Sequence, residues 1–88
     1  MKLMYDERVD AAFVEVAGPI VPGSVDFTDE LDQDRNVKYD AEEHVLAYEF
    51  LNVQRRGVRL SDLPHHEEMA RVFREAGFRE RESRRAAS

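Results

Sequence analysis

The run VLAYEFL at positions 45–51 constrains the fold more than any other part of the chain, because Glu49 is its only charged residue. In an extended strand, successive side chains point to opposite faces of the sheet. The alternation therefore predicts one face with Leu46, Tyr48 and Phe50 and an opposite face with Val45, Ala47, Glu49 and Leu51. Since both faces are largely apolar, the run predicts a central strand that is covered on both sides.

Three shorter runs predict further strands. Residues 2–5 (KLMY) are short and apolar, residues 24–31 (SVDFTDEL) alternate between apolar and polar side chains, and residues 36–39 (NVKY) place Val37 and Tyr39 on one face. The polar segment DELDQDRN at positions 29–36 predicts a solvated connection, and DAEEH at positions 40–44 predicts a turn.

Residues 9–16 fit both a helix and a strand. Val9, Ala12, Phe13 and Val16 have helical spacing, but Ala12, Val14 and Val16 also alternate with Phe13 and Glu15. Valine favours extended backbone, and AGPIVPG ends the run abruptly with turn-forming residues. We therefore predict a strand here.

The segment PHHEEMARVFREAGF at positions 64–78 predicts an amphipathic helix. Pro64 suits a first turn, Ser61 or Asp62 is placed to cap it, and Gly77 is placed to end it. Its apolar stripe consists of Met69, Val72, Phe73 and Ala76. The predicted fold class is α+β, in which a small antiparallel β-sheet of four to five strands has one C-terminal amphipathic helix packed on a face. Residues 1–78 would form one domain, and residues 79–88 (RERESRRAAS) would be a disordered charged tail.

Composition excludes several classes of chemistry. The chain of 88 residues has no cysteine, so disulfides, zinc ribbons and thiol catalysis are excluded. Its net charge of -6 divides into -9 for residues 1–54 and +3 for residues 55–88. The acidic part would repel phosphate backbones. The opening MKLMYDERVD lacks the apolar region of a signal peptide, which predicts a cytoplasmic protein.

Two segments resemble a known family. YDERVDAAFVEV at positions 5–16 and NVKYDAEEHVLAYEFLNV at positions 36–53 are similar to two hallmarks of domain-of-unknown-function family 2283, the YuzE-type small bacterial proteins. The matching residues are Tyr5, Asp6, Asp10, Ala11, Phe13 and Val14 in the first, and Tyr39, Asp40, Val45, Leu46, Ala47, Tyr48, Glu49 and Phe50 in the second.

The resemblance covers about residues 1–53 and implies a small antiparallel α+β domain without an established activity. Some members are encoded beside small toxin-like proteins, which implies an antitoxin-like or regulatory role with a partner encoded nearby. The chain departs from the family in its DAEEH turn, which lacks glycine, so His44 or a neighbour must adopt the left-handed conformation.

The acids of the opening segment allow two interpretations. In a turn between two strands, Asp6 and Asp10 would accept hydrogen bonds from nearby backbone N–H groups. Alternatively, Asp6, Asp10 and Glu49 would converge as oxygen ligands of a hard divalent cation, for metal binding or a small hydrolytic activity. No other catalytic set is predicted: DFTDELDQD lacks the glycine of an EF-hand loop, and Ala70 stands where a zinc-protease helix beginning at His66 needs its second histidine.

Arg55, Arg56 and Arg59 flank Gly57 and are predicted to contact a phosphate or an acidic partner. The predicted function is a non-enzymatic protein-interaction module that needs no cofactor. One helix cannot cover both faces of the sheet, so self-association as a homodimer is predicted as well. Weak nucleic-acid binding through the arginine-rich C-terminal part is the last alternative, since the chain lacks a recognisable nucleic-acid-binding motif.

Overall fold

A five-stranded antiparallel sheet forms the body of the protein, and a computed structural model describes residues 1–81. The strands are β1 (Lys2–Asp6), β2 (Ala11–Glu15), β3 (Phe27–Asp32), β4 (Arg35–Tyr39) and β5 (Val45–Leu51), and the helices are α1 (Val53–Arg56) and α2 (His66–Glu75). The strand order is β1-β2-β5-β4-β3, so the VLAYEFL strand is central. The α+β fold class is confirmed, and the segment of residues 9–16 contains a strand rather than a helix, although the strand covers only Ala11–Glu15.

The hydrophobic core lies on one face of the sheet. Tyr48 and Phe50 of β5 are both about 1% exposed and pack there with Val14, which lies opposite Tyr48 in β2. Helix α2 covers this face with Met69 and Phe73, and the rings of Phe50 and Phe73 meet edge to face at 5.2 Å. Among the described residues, no helix is long and apolar enough to cross a membrane.

Helix α2 is shorter at its start than the sequence predicts. It begins at His66, no side chain caps it, and Asp62 instead binds Arg35. At its end, Gly77 has a φ of 90°, which glycine adopts without steric cost. There the Phe78 N–H donates to the Phe73 carbonyl and the Gly77 N–H to the Arg74 carbonyl, a Schellman motif. The predicted apolar position Ala76 is exposed.

Strand β5 contains an irregularity that changes the predicted alternation. Tyr39 pairs with Val45 and Lys38 with Ala47, so Leu46 is an extra residue in β5. Val45 therefore packs against the core, although the alternation predicts it on the opposite face from Tyr48. Leu46 instead lines a cavity with the loop formed by residues 17–24.

The solvated connection predicted at residues 29–36 is wrong. Those residues form most of β3, a tight turn at Gln33 and Asp34, and the start of β4. Strand β3 lies at the edge of the sheet, and its side chains are mostly exposed. The alternation at residues 24–31 predicts its start, but its second half is too acidic for an apolar pattern to predict it. Pairing with β4 makes these residues a strand despite their composition.

Residues 79–81, the start of the predicted tail, contact the connector that follows α1. The Val58 N–H donates to the Arg79 carbonyl, and Val58 and Glu80 form an isolated parallel bridge. Gly57 permits this approach: its φ is 76°, and a Cβ there would lie 2.9 Å from the Arg79 carbonyl oxygen. The rest of the predicted tail, residues 82–88, lies outside the described residues.

Candidate functional site

Asp6 holds the turn between β1 and β2, as the first interpretation of the opening acids predicts. Its carboxylate accepts hydrogen bonds from the Arg8 backbone N–H at 3.0 Å and from the Arg8 guanidinium at 2.9 Å. These bonds lower the pKa of Asp6.

Asp10 contacts Tyr5 within its own hairpin, but its carboxylate mainly caps helix α1, which follows β5. Its carboxylate accepts the backbone N–H of Gln54 at 2.8 Å and of Arg55 at 3.2 Å, and the Tyr5 hydroxyl at 2.7 Å. The bond from Gln54 is the main cause of the lowered pKa of Asp10, and the bond to Asp10 raises the pKa of Tyr5 to about 12. Because Gln54 is 44 residues away in sequence, local spacing could not predict this contact.

Replacing Asp10 with alanine is expected to lower the free energy of unfolding by about 1–2 kcal/mol, since α1 loses the carboxylate that caps it and alanine is strained at a φ of 55°. Asparagine keeps an accepting oxygen and tolerates that conformation, so Asp10→Asn should lower the free energy of unfolding by less than Asp10→Ala does. Urea denaturation, followed by circular dichroism, measures the free energy of unfolding of both variants. Glu7→Ala removes an exposed acid from the same turn and is the control. An equal loss for Glu7→Ala would contradict a capping role for Asp10.

The three candidate metal ligands do not converge. Glu49 accepts a hydrogen bond from the Asn36 amide at 3.1 Å, whereas the Asp10 carboxylate is directed to α1. Within residues 1–81, the one group of three potential ligands whose donor atoms all lie within 4.8 Å comprises Asp40, Glu42 and His44.

That group lies in the turn between β4 and β5 and has a structural role. The Asp40 carboxylate accepts the backbone N–H groups of Glu42 and His44 at 2.9 and 2.8 Å, and contacts the His44 ring at 3.1 Å. The bond from the His44 N–H is the main cause of the lowered pKa of Asp40. Glu43, with a φ of 68°, is the neighbour that adopts the left-handed conformation.

The sheet face opposite α2 is here called the open face. Its side chains follow from the strand register and comprise Lys2, Met4, Asp6, Ala11, Phe13, Glu15, Thr28, Glu30, Asn36, Lys38, Ala47, Glu49 and Leu51. The loop of residues 17–24 covers one end, where the Ile20 N–H donates to the Glu15 carboxylate at 3.2 Å. At the other end lies a groove of about 410 Å³ lined by Met4, Asp6, Val9, Phe13 and Glu49, among others. Met4 and Val9 are 38% and 66% exposed.

A second concave surface, here called the arginine pocket, lies where the β3–β4 turn meets the C-terminal segment. It has a volume of about 310 Å³ and is lined by Asp32, Gln33, Asp34, Arg56, Arg59 and Arg81. Asp34 is buried, and its carboxylate accepts hydrogen bonds from Asn52 at 2.9 Å and Arg56 at 3.1 Å. The pocket is therefore polar, and the bond between Asp34 and Asn52 joins it to the end of β5.

Arg35 is buried next to the arginine pocket and contacts two of the residues that line it, Asp32 and Arg59. Its guanidinium binds both oxygens of Asp62 at 2.6 and 3.0 Å, Asp32 at 2.9 Å, and the Arg59 carbonyl at 3.1 Å. Burial would lower the pKa of Arg35, but the bonds to Asp62 and Asp32 raise it. The same bond from Arg35 lowers the pKa of Asp62. These contacts fix the turn to the connector that precedes α2.

The structure brings together two of the three arginines predicted to bind a partner. Arg56 and Arg59 line the arginine pocket, whereas Arg55 is exposed and its charge acts on Asp10. Sequence reasoning missed Asp34 and Arg81, because one lies in a segment predicted to be solvated and the other in the predicted tail. The surplus of arginine after residue 54 was the one available signal.

Comparisons of the chain with protein-family models, with curated proteins and with solved structures found no match. Membership of family 2283 therefore stays a prediction. The open face and the arginine pocket are the two surfaces that support an inference about function.

Proposed function

We propose that the protein is a non-enzymatic protein-interaction module whose open face binds a cationic, amphipathic segment of another protein. The observation that carries this proposal is the groove on the open face, in which the apolar side chains of Met4, Val9 and Phe13 lie beside the carboxylates of Asp6 and Glu49. An interaction of this kind would suit an antitoxin-like or regulatory role, as the family resemblance implies.

The apolar part of the groove supports binding to a protein segment. Met4 and Phe13 are cross-strand neighbours on β1 and β2, and neither described helix packs on their face. Exposed apolar side chains grouped on one surface are typical of interaction sites. An apolar side chain that filled the groove would bury Met4 and Phe13 further and gain the usual hydrophobic free energy.

Charge favours a cationic partner over a second copy of the chain. Residues 1–54, which form the whole sheet, carry a net charge of -9, and the open face itself carries four carboxylates and two lysines. Two open faces related by a twofold axis would bring like charges together, which disfavours association. A segment with lysine or arginine beside apolar residues would instead complement the groove.

The functional test uses two synthetic helical peptides with the same leucines, one with lysine and the other with glutamate at its polar positions. We expect the lysine peptide to bind and to shift the amide resonances of β1, β2 and β5 in NMR titrations. Phe13→Glu should weaken this binding at least about tenfold, which corresponds to about 1.4 kcal/mol. Met4→Glu is a second variant, at a groove position that is more exposed than Phe13.

Val25→Glu is the matched control, because Val25 is 37% exposed and lies outside the groove. Equal binding of both peptides, or shifts confined to residues outside the open face, would contradict the proposal. Light scattering at micromolar concentration tests the predicted homodimer. A dimer that Phe13→Glu converts to monomer would assign the open face to a second copy and reject the cationic partner.

A further inference from the structure

We infer that the arginine pocket is a binding site for a phosphate group, either as inorganic phosphate or as the phosphoryl group of a small phosphate monoester. The site differs from the groove of the proposed function in position and in charge, because it is built from the β3–β4 turn, the connector after α1 and the C-terminal segment. A failure of either idea therefore leaves the other unaffected.

Unpartnered donors in the arginine pocket are the first argument. The Nε atoms of Arg59 and Arg81 are buried and have no hydrogen-bond partner among residues 1–81. A buried donor without an acceptor is costly, and each such group calls for an explanation. Both side chains line the pocket, so an anion bound there would lie beside both guanidinium groups and would offset the cost of their unpaired donors electrostatically.

The balance of charge is the second argument. Of residues 1–81, three contribute guanidinium groups to the pocket lining and two contribute carboxylates, Asp32 and Asp34. These carboxylates are shared: Asp32 is 2.9 Å from Arg35 and 3.6 Å from Arg59, and Asp34 is 3.1 Å from Arg56 and 3.7 Å from Arg81. Among the described residues, Arg59 and Arg81 thus make only long ion pairs. These long pairs leave part of their positive charge available to attract an anion.

The architecture of the pocket is the third argument. The Arg59 and Arg81 side chains are 17% and 32% exposed, so they are partly shielded from water before any ligand binds. Arg81 is brought to the pocket by pairing of its backbone N–H with the Val58 carbonyl, which Gly57 permits. A guanidinium group matches the geometry of phosphate oxygens with paired N–H donors, and a volume of about 310 Å³ admits a phosphate group with a small substituent.

Isothermal titration calorimetry and thermal unfolding of the full chain test this site with sodium phosphate, against sodium chloride at equal ionic strength. We expect phosphate to raise the unfolding temperature and chloride to leave it unchanged. Arg59→Gln should weaken phosphate binding about tenfold or more. Arg81→Gln is a second variant, to be used if Arg59→Gln fails to fold, because Arg81 lies near the end of the described residues. Phosphoserine and glycerol phosphate form the second arm: tighter binding than inorganic phosphate assigns the site to a monoester.

Arg71→Gln is the matched control, because Arg71 is exposed on α2 and does not line the pocket. Equal stabilisation by phosphate and chloride would overturn the inference. An equal loss of phosphate binding in Arg71→Gln and Arg59→Gln would overturn it as well, since the effect would then be one of net charge. NMR shifts at Gln33 and Gly57 on adding phosphate would support the assigned position.

Discussion

Replacing Phe73 with alanine is expected to lower the free energy of unfolding by about 3–5 kcal/mol, as is typical for removal of a buried aromatic side chain. Phe73 is 1% exposed and packs against the rings of Phe50 and Phe78, so its loss would leave a cavity between α2 and the sheet. Since small domains are stable by only about 5–15 kcal/mol, the variant should unfold at much lower urea concentration. Circular dichroism in a urea series measures the change.

Phe27→Ala is the matched control for Phe73→Ala. Phe27 is 41% exposed at the edge of the sheet and stacks on Tyr39 at 4.7 Å. We expect its removal to cost about 1 kcal/mol, mainly the aromatic pair. If both variants lost the same free energy, α2 would not be packed on the sheet as described.

Replacing Arg35 with methionine is expected to destabilise the protein by about 2–3 kcal/mol, because Asp32 and Asp62 would lose their main cationic partner. This value is below that for a fully buried pair, since the two carboxylates are 32% and 48% exposed and water would partly solvate them. Methionine retains much of the side-chain volume, so the loss reports the polar contacts. Asp62→Asn keeps one accepting oxygen and should cost about 1 kcal/mol.

The pH dependence distinguishes lost ion pairs from lost packing in Arg35→Met. Burial alone would raise the pKa of Asp32, but the hydrogen bonds from Arg35 and from the Asp34 N–H, together with the charges of Arg35 and Arg59, outweigh burial and lower that pKa. The hydrogen bond from Arg35 also lowers the pKa of Asp62. The stabilisation is present above the unfolded-state pKa of about 4 and is lost as the pH falls through the folded-state pKa. The difference between wild type and variant should therefore shrink below pH of about 4. A difference that stays constant to lower pH would indicate a packing defect.

The arginine pocket shows which contacts local sequence patterns can predict and which they cannot. Arg56 and Arg59 are close in sequence and were predicted as a cluster, but Arg81 joins them only because the chain returns to Val58. Asp34 was placed in a solvated segment because its neighbours are polar. Its burial follows from contacts with Asn52 and Arg56, which are 18 and 22 residues away. No spacing rule connects residues at such separations.

The sequence by itself determined the central strand at residues 45–51, the strand rather than helix at residues 9–16, and the amphipathic helix that covers the core. Local features identify each of these elements: helical spacing of the apolar residues in α2, valines and following turn residues in β2, and a nearly uncharged apolar run in β5. Only the tertiary structure decided that Asp10 caps α1, that Leu46 is an extra residue in β5, and that the arginine pocket exists. These features depend on single side chains that meet after the chain has folded back, and a single contact leaves no period in the sequence.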